Sequence, residues 1–311
     1  MIRRDQAKNP ARVGCTMTRP FRFAAQFLTA SSADEFLAWA RRVESQGYST
    51  LNIADHFDFA LSPIPASMAA ALVTTKLRVG SLCIDNDFRN PLLLAKEVAN
   101  VDMLSGGRFE LGLGAGWFGG DYDALGIPFD PPGTRVDRLA EAITVMKQAW
   151  AGRPFSHEGR FYHAKDYTLS PSPVQKPHPP LLVGCGKRRM CNLAGREADI
   201  ISLMVDLSDR SLGADPYAGL ATPLDWVREG AGASFARLEL SLHLYWGGKA
   251  DAAPDQQKAG MPSYLLGDTV EDAVATCQKL RDRFGFTAFY LSQAGCDLDR
   301  MAPVVERLAG R

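Results

Sequence analysis

From Phe21 onward, short apolar runs alternate with segments whose apolar residues recur every three to four positions. That alternation signals parallel βα units. It predicts strands over 21–27, 50–54, 77–84, 109–113, 180–184, 200–204, 238–245 and 288–292. The run 77–84 is rich in apolar residues, as a strand covered on both faces should be. The first helix opens at Ser32, with Glu35 three residues on as a capping box. Phe36, Leu37, Ala40 and Val43 then share one face, and Gly47 closes the helix. Asn90-Pro91 sets a cap residue before a proline at the first helical position, and Ser105-Gly106-Gly107 stops that helix. Further helices are expected over 134–150, 187–196, 223–231, 269–284, where Thr269 and Asp272 form the cap, and 299–309. Residues 151–178 break the rhythm and read as a β-hairpin insertion turning at Glu158-Gly159.

Eight such units in one run predict a closed (β/α)8 barrel over residues 20–311 as a single domain, with a doubly wound open sheet as the alternative. The barrel matters because active sites then gather on the loops that follow the strands.

Composition narrows the function classes. Thirty-five Lys and Arg balance thirty-five Asp and Glu in 311 residues, without the basic stripe of a nucleic-acid binder. No apolar run approaches the ~20 residues that span a bilayer. Cys15, Cys83, Cys185, Cys191, Cys277 and Cys296 are scattered without a CxxC pair, which suggests reduced thiols in a cytoplasm. Residues 1–19 are polar and carry five cations without an apolar core, and are expected to be a disordered leader.

The loops carry the candidate chemistry. Asp55-His56-Phe57 follows strand two, and a carboxylate beside an imidazole suits proton transfer or cofactor hydrogen bonding, or else a helix cap beside a surface histidine. Strand three runs into Cys83-Ile84-Asp85-Asn86-Asp87-Phe88-Arg89, a sharp polar bend that is a ligand platform or an ordinary loop. After strand four, Gly114, Gly116 and Gly119 spell GxGxxG. A dinucleotide site needs those glycines to open a helix, and Asp121, Tyr122, Gly126 and Pro128 are poor helix material, so that reading is rejected. Close approach of the backbone to a flat ligand is the reading that stands. Gly184, Gly186, Lys187 and Arg188 precede a helix and form an anion site or a glycine turn with solvated charges. Trp246 and His243 end strand seven, facing a substrate or packing, and His157, His163 and His178 receive no role.

Together these loops resemble the luciferase-like monooxygenase superfamily, and in particular its deazaflavin (coenzyme F420) branch. The residues that carry the resemblance are Asp55-His56-Phe57, Asp87-Phe88-Arg89-Asn90-Pro91, the block from Leu104 to Trp117, Pro173 to Pro177, Gly184 to Arg189, and Arg196 to Ile200. The resemblance implies a ring cofactor against a bulge after strand three with a non-proline cis peptide, for which Cys83-Ile84 is the matching position and Asn86 a neighbour. It implies that Asp55 and His56 meet ring and substrate, with His56 the proton donor or acceptor. It further implies that Gly184, Gly186, Lys187 and Arg188 receive the cofactor phosphate, and that the protein is a homodimer or larger homo-oligomer. Trp117 and Ala60 depart from the sugar-phosphate branch, which carries glutamate and tryptophan at those places. Trp117, Phe118 and Trp246 are therefore expected to meet a substrate, a small molecule or peptide that is apolar or flat. The expected activity is hydride transfer between F420 and an organic substrate. The alternatives are an FMN-dependent monooxygenase and a barrel that binds without chemistry.

Overall fold

The computed structural model describes residues 19–58, 60–204, 215, 217–244, 266–267, 269–292 and 298–311. The strands are β1 (Arg22–Phe27), β2 (Thr50–Ile53), β3 (Arg78–Ser81), β4 (Ile84–Asp85), β5 (Phe109–Gly114), β6 (Phe155–Glu158), β7 (His163–Tyr167), β8 (Leu181–Cys185), β9 (Ile200–Leu203), β10 (Glu239–Leu244) and β11 (Phe286–Ser292). All pair in parallel except β6 and β7, which form the expected antiparallel hairpin. The sheet closes where β3 pairs with β5, Val79 opposite Phe109 and Gly80 opposite Glu110. Because β4 continues β3 after a bulge, the result is an eight-stave barrel. At the closure the backbones nearly touch. A Cβ at Gly112 would lie 2.0 Å from the Ser81 carbonyl oxygen, so only glycine allows this approach.

The helices are α1 (Ala33–Ser45), α2 (Pro63–Val73), α3 (Pro91–Leu104), α4 (Gly119–Leu125), α5 (Pro132–Trp150), α6 (Arg188–Glu197), α7 (Ala221–Ala231), α8 (Val270–Phe284) and α9 (Leu298–Leu308). Thr269 and Asp272 make the reciprocal capping box of α8. At α1 the expected box is only half present. Ser32 accepts from the Glu35 amide, but the Glu35 carboxylate turns back to Ser31. The helices bury their apolar stripes on the outer strand face, where Phe27 meets Phe36 and Trp39 at ring distances of 4.9 and 4.7 Å. Alternate strand residues face inward, among them the smaller cluster of Ala24, Leu82, Leu182, Ile200, Ala288 and Tyr290.

The N-terminal end of the barrel is closed by charge. Glu110, 3% exposed, accepts from Arg22 at 2.8 Å and from Arg78 at 2.5 Å, and Arg22 also pairs with Glu239 at 2.7 Å. Burial alone would raise the Glu110 carboxyl, but the two guanidiniums outweigh it and hold the group below the usual range. Charge anchors the base; the C-terminal ends of the strands are left for chemistry.

Two expectations need correction here. The non-proline cis bond joins Leu82 to Cys83, one residue before Cys83-Ile84. The reason is register. Gln26 Nε2 holds the Leu82 carbonyl at 2.8 Å, and Ile84 is already back in the ladder opposite Leu113. The second correction is α4, a helix over Gly119–Leu125 where the sequence reading rejects one. It ends at Gly126 in the left-handed region, φ 65°, and its Asp121 and Tyr122 are fastened to other elements.

Candidate active site

The site is built from the ends of β2, β4, β5 and β8 and from α4. Asp55 is buried and committed to neighbours: Arg89 forks onto both its oxygens, one at 3.0 Å, and the Asp85 amide donates to it at 3.2 Å. Asp85 in turn caps the 3-10 turn Asn86–Phe88 by accepting from the Asp87 amide at 2.9 Å. That turn delivers Arg89 back to Asp55.

His56 points the other way. Its Nδ1 lies 2.7 Å from Asp121 Oδ2, and the second oxygen of Asp121 accepts from the Phe57 amide at 3.1 Å. One carboxylate therefore fixes both the ring and the backbone beside it. The next residue, Tyr122, is buried, and its hydroxyl donates to Asp85 and Asp87, each at 3.1 Å. A closed circuit results: Asp55 binds Asp85, Asp85 binds Tyr122, Asp121 binds His56, and His56 follows Asp55 in the chain. Gly116, φ 75°, permits it, because a Cβ there would lie 2.0 Å from the Tyr122 hydroxyl.

The charge state of the circuit is unusual. Burial pushes the Asp85 carboxyl up to about 6, and negative Asp87 and Asp55 add to it, against hydrogen bonds from the Asp87 amide and Tyr122. Burial, with the carboxylates of Asp85 and Asp87, raises the Tyr122 phenol, so it remains a donor. Arg138 neutralises Asp87 at 2.6 Å.

Beside the circuit is a flat cradle. Cys83 stands between Gly114 and Gly184, where added Cβ atoms would lie 3.5 Å from its Cβ and 3.3 Å from its Sγ. Burial pushes the Cys83 thiol up to about 12, so it is a neutral wall and not a nucleophile. The Asn86 amide donates to Tyr162 of the hairpin at 3.1 Å. Ile84 lends only backbone, its side chain being buried in the main apolar cluster. Beyond the cradle, Gly186 passes so close to β9 that a Cβ would lie 2.0 Å from the Met204 carbonyl oxygen. Lys187 then stands at the start of α6, whose first amides have no side-chain cap. Arg188 leans away to Glu229 at 3.0 Å. Trp117 and Phe118 flank His56 with ring centroids 5.6 and 6.1 Å away. Trp246 lies outside the described residues.

Sequence reasoning finds His56 and Asp55 but misses Asp121, Tyr122 and the role of Asp85. Asp121 is 65 residues from His56, and no local spacing announces such a pair. Gly126 as a helix stop was the one available signal.

A family model described as luciferase-like monooxygenase matches residues 16–289. The chain belongs to that family. A segment of this luciferase-like chain is 35% identical over 136 residues to an FMNH2-dependent dimethylsulfone monooxygenase of Pseudomonas putida, covering 44% of this chain and 37% of the relative. Another is 29% identical over 192 residues to an F420-dependent glucose-6-phosphate dehydrogenase of Microbacterium testaceum, covering 59% and 56%. The chain thus spans less than two thirds of either relative. In fold it is similar to the coenzyme F420-dependent tetrahydromethanopterin reductase of Methanopyrus kandleri, with a TM-score of 0.75, 17% identity, and coverage of 93% of this chain and 98% of that one. By name these relatives are a monooxygenase, a dehydrogenase and a reductase. Among the described residues no helix is long and apolar enough to cross a membrane.

Proposed function

We propose that the protein is an F420-dependent oxidoreductase that moves a hydride between the deazaflavin and an organic substrate, by reduction of a C=C or C=N bond or by oxidation of an alcohol. The observation that carries this reading is His56, clamped by Asp121 at the rim of a cradle that presents glycine and a neutral thiol at adjacent strand ends. The cradle fits a flat ring because no side chain rises from Gly114 or Gly184. Cys83, Asn86, Gly114 and Gly116 would hold the ring, and Gly184, Gly186 and Lys187 its phosphate, with helix-start amides as donors, while Arg188 is engaged by Glu229. Asp55 acts through Arg89 and Asp85, fixing the bulge that forms the cradle wall.

When bound, the deazaflavin supplies or accepts the hydride. The protein handles the proton. With Nδ1 committed to Asp121, exchange with a substrate runs through Nε2 of His56, and the Asp121 carboxylate stabilises the imidazolium that forms. Trp117 and Phe118 stand edge-on beside the imidazole. The test is His56→Ala: turnover should fall by about 10²- to 10⁴-fold while F420 affinity is kept. Full turnover in this variant would remove the assignment.

A second reading is an FMN-dependent monooxygenase fed with reduced flavin by a partner reductase, favoured by the 35% identity to the dimethylsulfone enzyme. Oxygen uptake coupled to turnover would establish it. Either enzyme would work as a homodimer in a reducing cytoplasm. Support comes from Leu72, Leu93, Met103 and Leu104, which expose apolar side chains on α2 and α3, and from the free thiols of Cys83, Cys185, Cys191 and Cys277.

A further inference from the structure

We infer that the site takes a flat aromatic substrate without an anionic group, seated on Trp117 and Phe118 with its polar reacting atom toward His56. The inference rests on the proposed redox reading for where the reacting atom goes; the class of substrate follows from two features of the mouth.

The first is exposed aromatic surface. Trp117 is 53% exposed, Phe118 36% and Phe57 51%, all within one loop's reach of His56. Trp117 and Phe118 lie 5.5 Å apart with planes tilted by 45°, and both stand nearly perpendicular to the imidazole, at 86° and 78°. Contiguous apolar surface of this kind around a polar group marks a ligand seat. Aromatic faces reward a flat ring by stacking beyond what area alone gives.

The second is charge. Asp55, Asp85, Asp87, Asp121 and Asp130 crowd this end of the barrel, and each guanidinium among them is committed. Arg89 is forked onto Asp55, and Arg138 bridges Asp87 and Asp130. Arg135 donates to the carbonyls of Ala115, Gly116 and Asp130 while stacking on Phe129 at 3.9 Å. In the next loop Arg188 and Arg189 pair with Glu229 and Asp137. Among the described residues, an anion on the substrate would find these guanidiniums already engaged and Lys187 assigned to the cofactor phosphate. Burying an unpaired anion there is costly. A sugar phosphate, named for the 29% identical relative, is therefore a poor occupant of this mouth.

The experiment is equilibrium binding to the F420-loaded protein of three probes: 2-naphthamide, its anionic isostere 2-naphthoate, and glucose 6-phosphate. The cofactor's own affinity is titrated first, so that failure to load refers to the redox reading; the probes are then run on unloaded protein, where the mouth is unchanged. At pH 7 the amide should bind at least about tenfold tighter than the carboxylate, and glucose 6-phosphate should not compete. Trp117→Ala and Phe118→Ala should each weaken the amide by roughly three- to tenfold while leaving cofactor affinity unchanged. Both side chains are exposed enough that an unchanged melting temperature will verify the fold. Equal or tighter binding of 2-naphthoate or glucose 6-phosphate, no binding of the amide, or indifference of the amide to both substitutions would overturn the inference.

Discussion

Asp85→Asn separates a carboxylate kept for function from one kept for stability. Asp85 is 8% exposed, and burial beside Asp87 and Asp55 lifts its carboxyl from 3.8 to about 6. The folded protein therefore holds a proton that the unfolded chain releases. The stability from that proton is fully present below about 3.8 and is lost as pH rises through about 6. The lost stability above that range amounts to about 3 kcal/mol, at ~1.4 kcal/mol for each pH unit between the two values. Asparagine keeps an oxygen that can accept from the Asp87 amide and the Tyr122 hydroxyl. Urea unfolding followed by circular dichroism should thus find Asp85→Asn more stable than the parent by about 3 kcal/mol at pH 8 and by roughly half that at pH 5. If the reading of the circuit is right, the same variant should turn over more slowly, because stability given up at a buried charge is characteristic of working sites. An advantage that does not change between pH 5 and pH 8, or a variant less stable than the parent at pH 8, would refute the reasoning.

Three other outcomes are expected. Asp121→Asn removes the charge opposite His56 Nδ1 and should lower turnover by about 10- to 100-fold, the value of one hydrogen bond to a charged group, with cofactor affinity kept; unchanged turnover would sever Asp121 from the mechanism. Glu110→Ala strands Arg78 and half of Arg22 at the barrel base, and calorimetry should show a loss of about 3–5 kcal/mol. Because the Glu110 carboxyl is held low, that contribution is present in the parent at neutral pH and fades as pH falls through its folded value, so the difference should narrow in acid. For the proposed homodimer, Leu72→Glu places a charge on the apolar face of α2, where Leu72 is 74% exposed, and sedimentation should report a monomer; a variant that sediments as the parent does would move the interface elsewhere.

The strands are legible in the sequence because both their faces are buried, so each is an apolar run whose ends fall within a residue or two of the observed ones. The break between β3 and β4 is not legible. Apolar residues continue through Leu82 and Cys83, and the bulge is imposed by Gln26 on one side and by pairing with β5 on the other. Helix α2 escapes detection for the opposite reason. It has no charged residue and no polar stripe over Pro63–Val73, so a period of 3.6 has nothing to contrast. Helix α4 defeats local propensity, since Gly119 and Gly120 are weak formers and tertiary bonds of Asp121 and Tyr122 hold it. The site divides along the same line. His56 is readable at a strand end, whereas its carboxylate partner comes from a helix that only the fold creates.

The most direct test of the central claim is a pair of titrations of the purified protein, one with oxidised coenzyme F420 and one with FMN. F420 should bind saturably at micromolar concentration or tighter, weakened by substitution of Lys187 and of Gly114, with FMN bound at least about tenfold more weakly. Tighter binding of FMN, with oxygen consumed once it is reduced, would contradict hydride transfer to a deazaflavin.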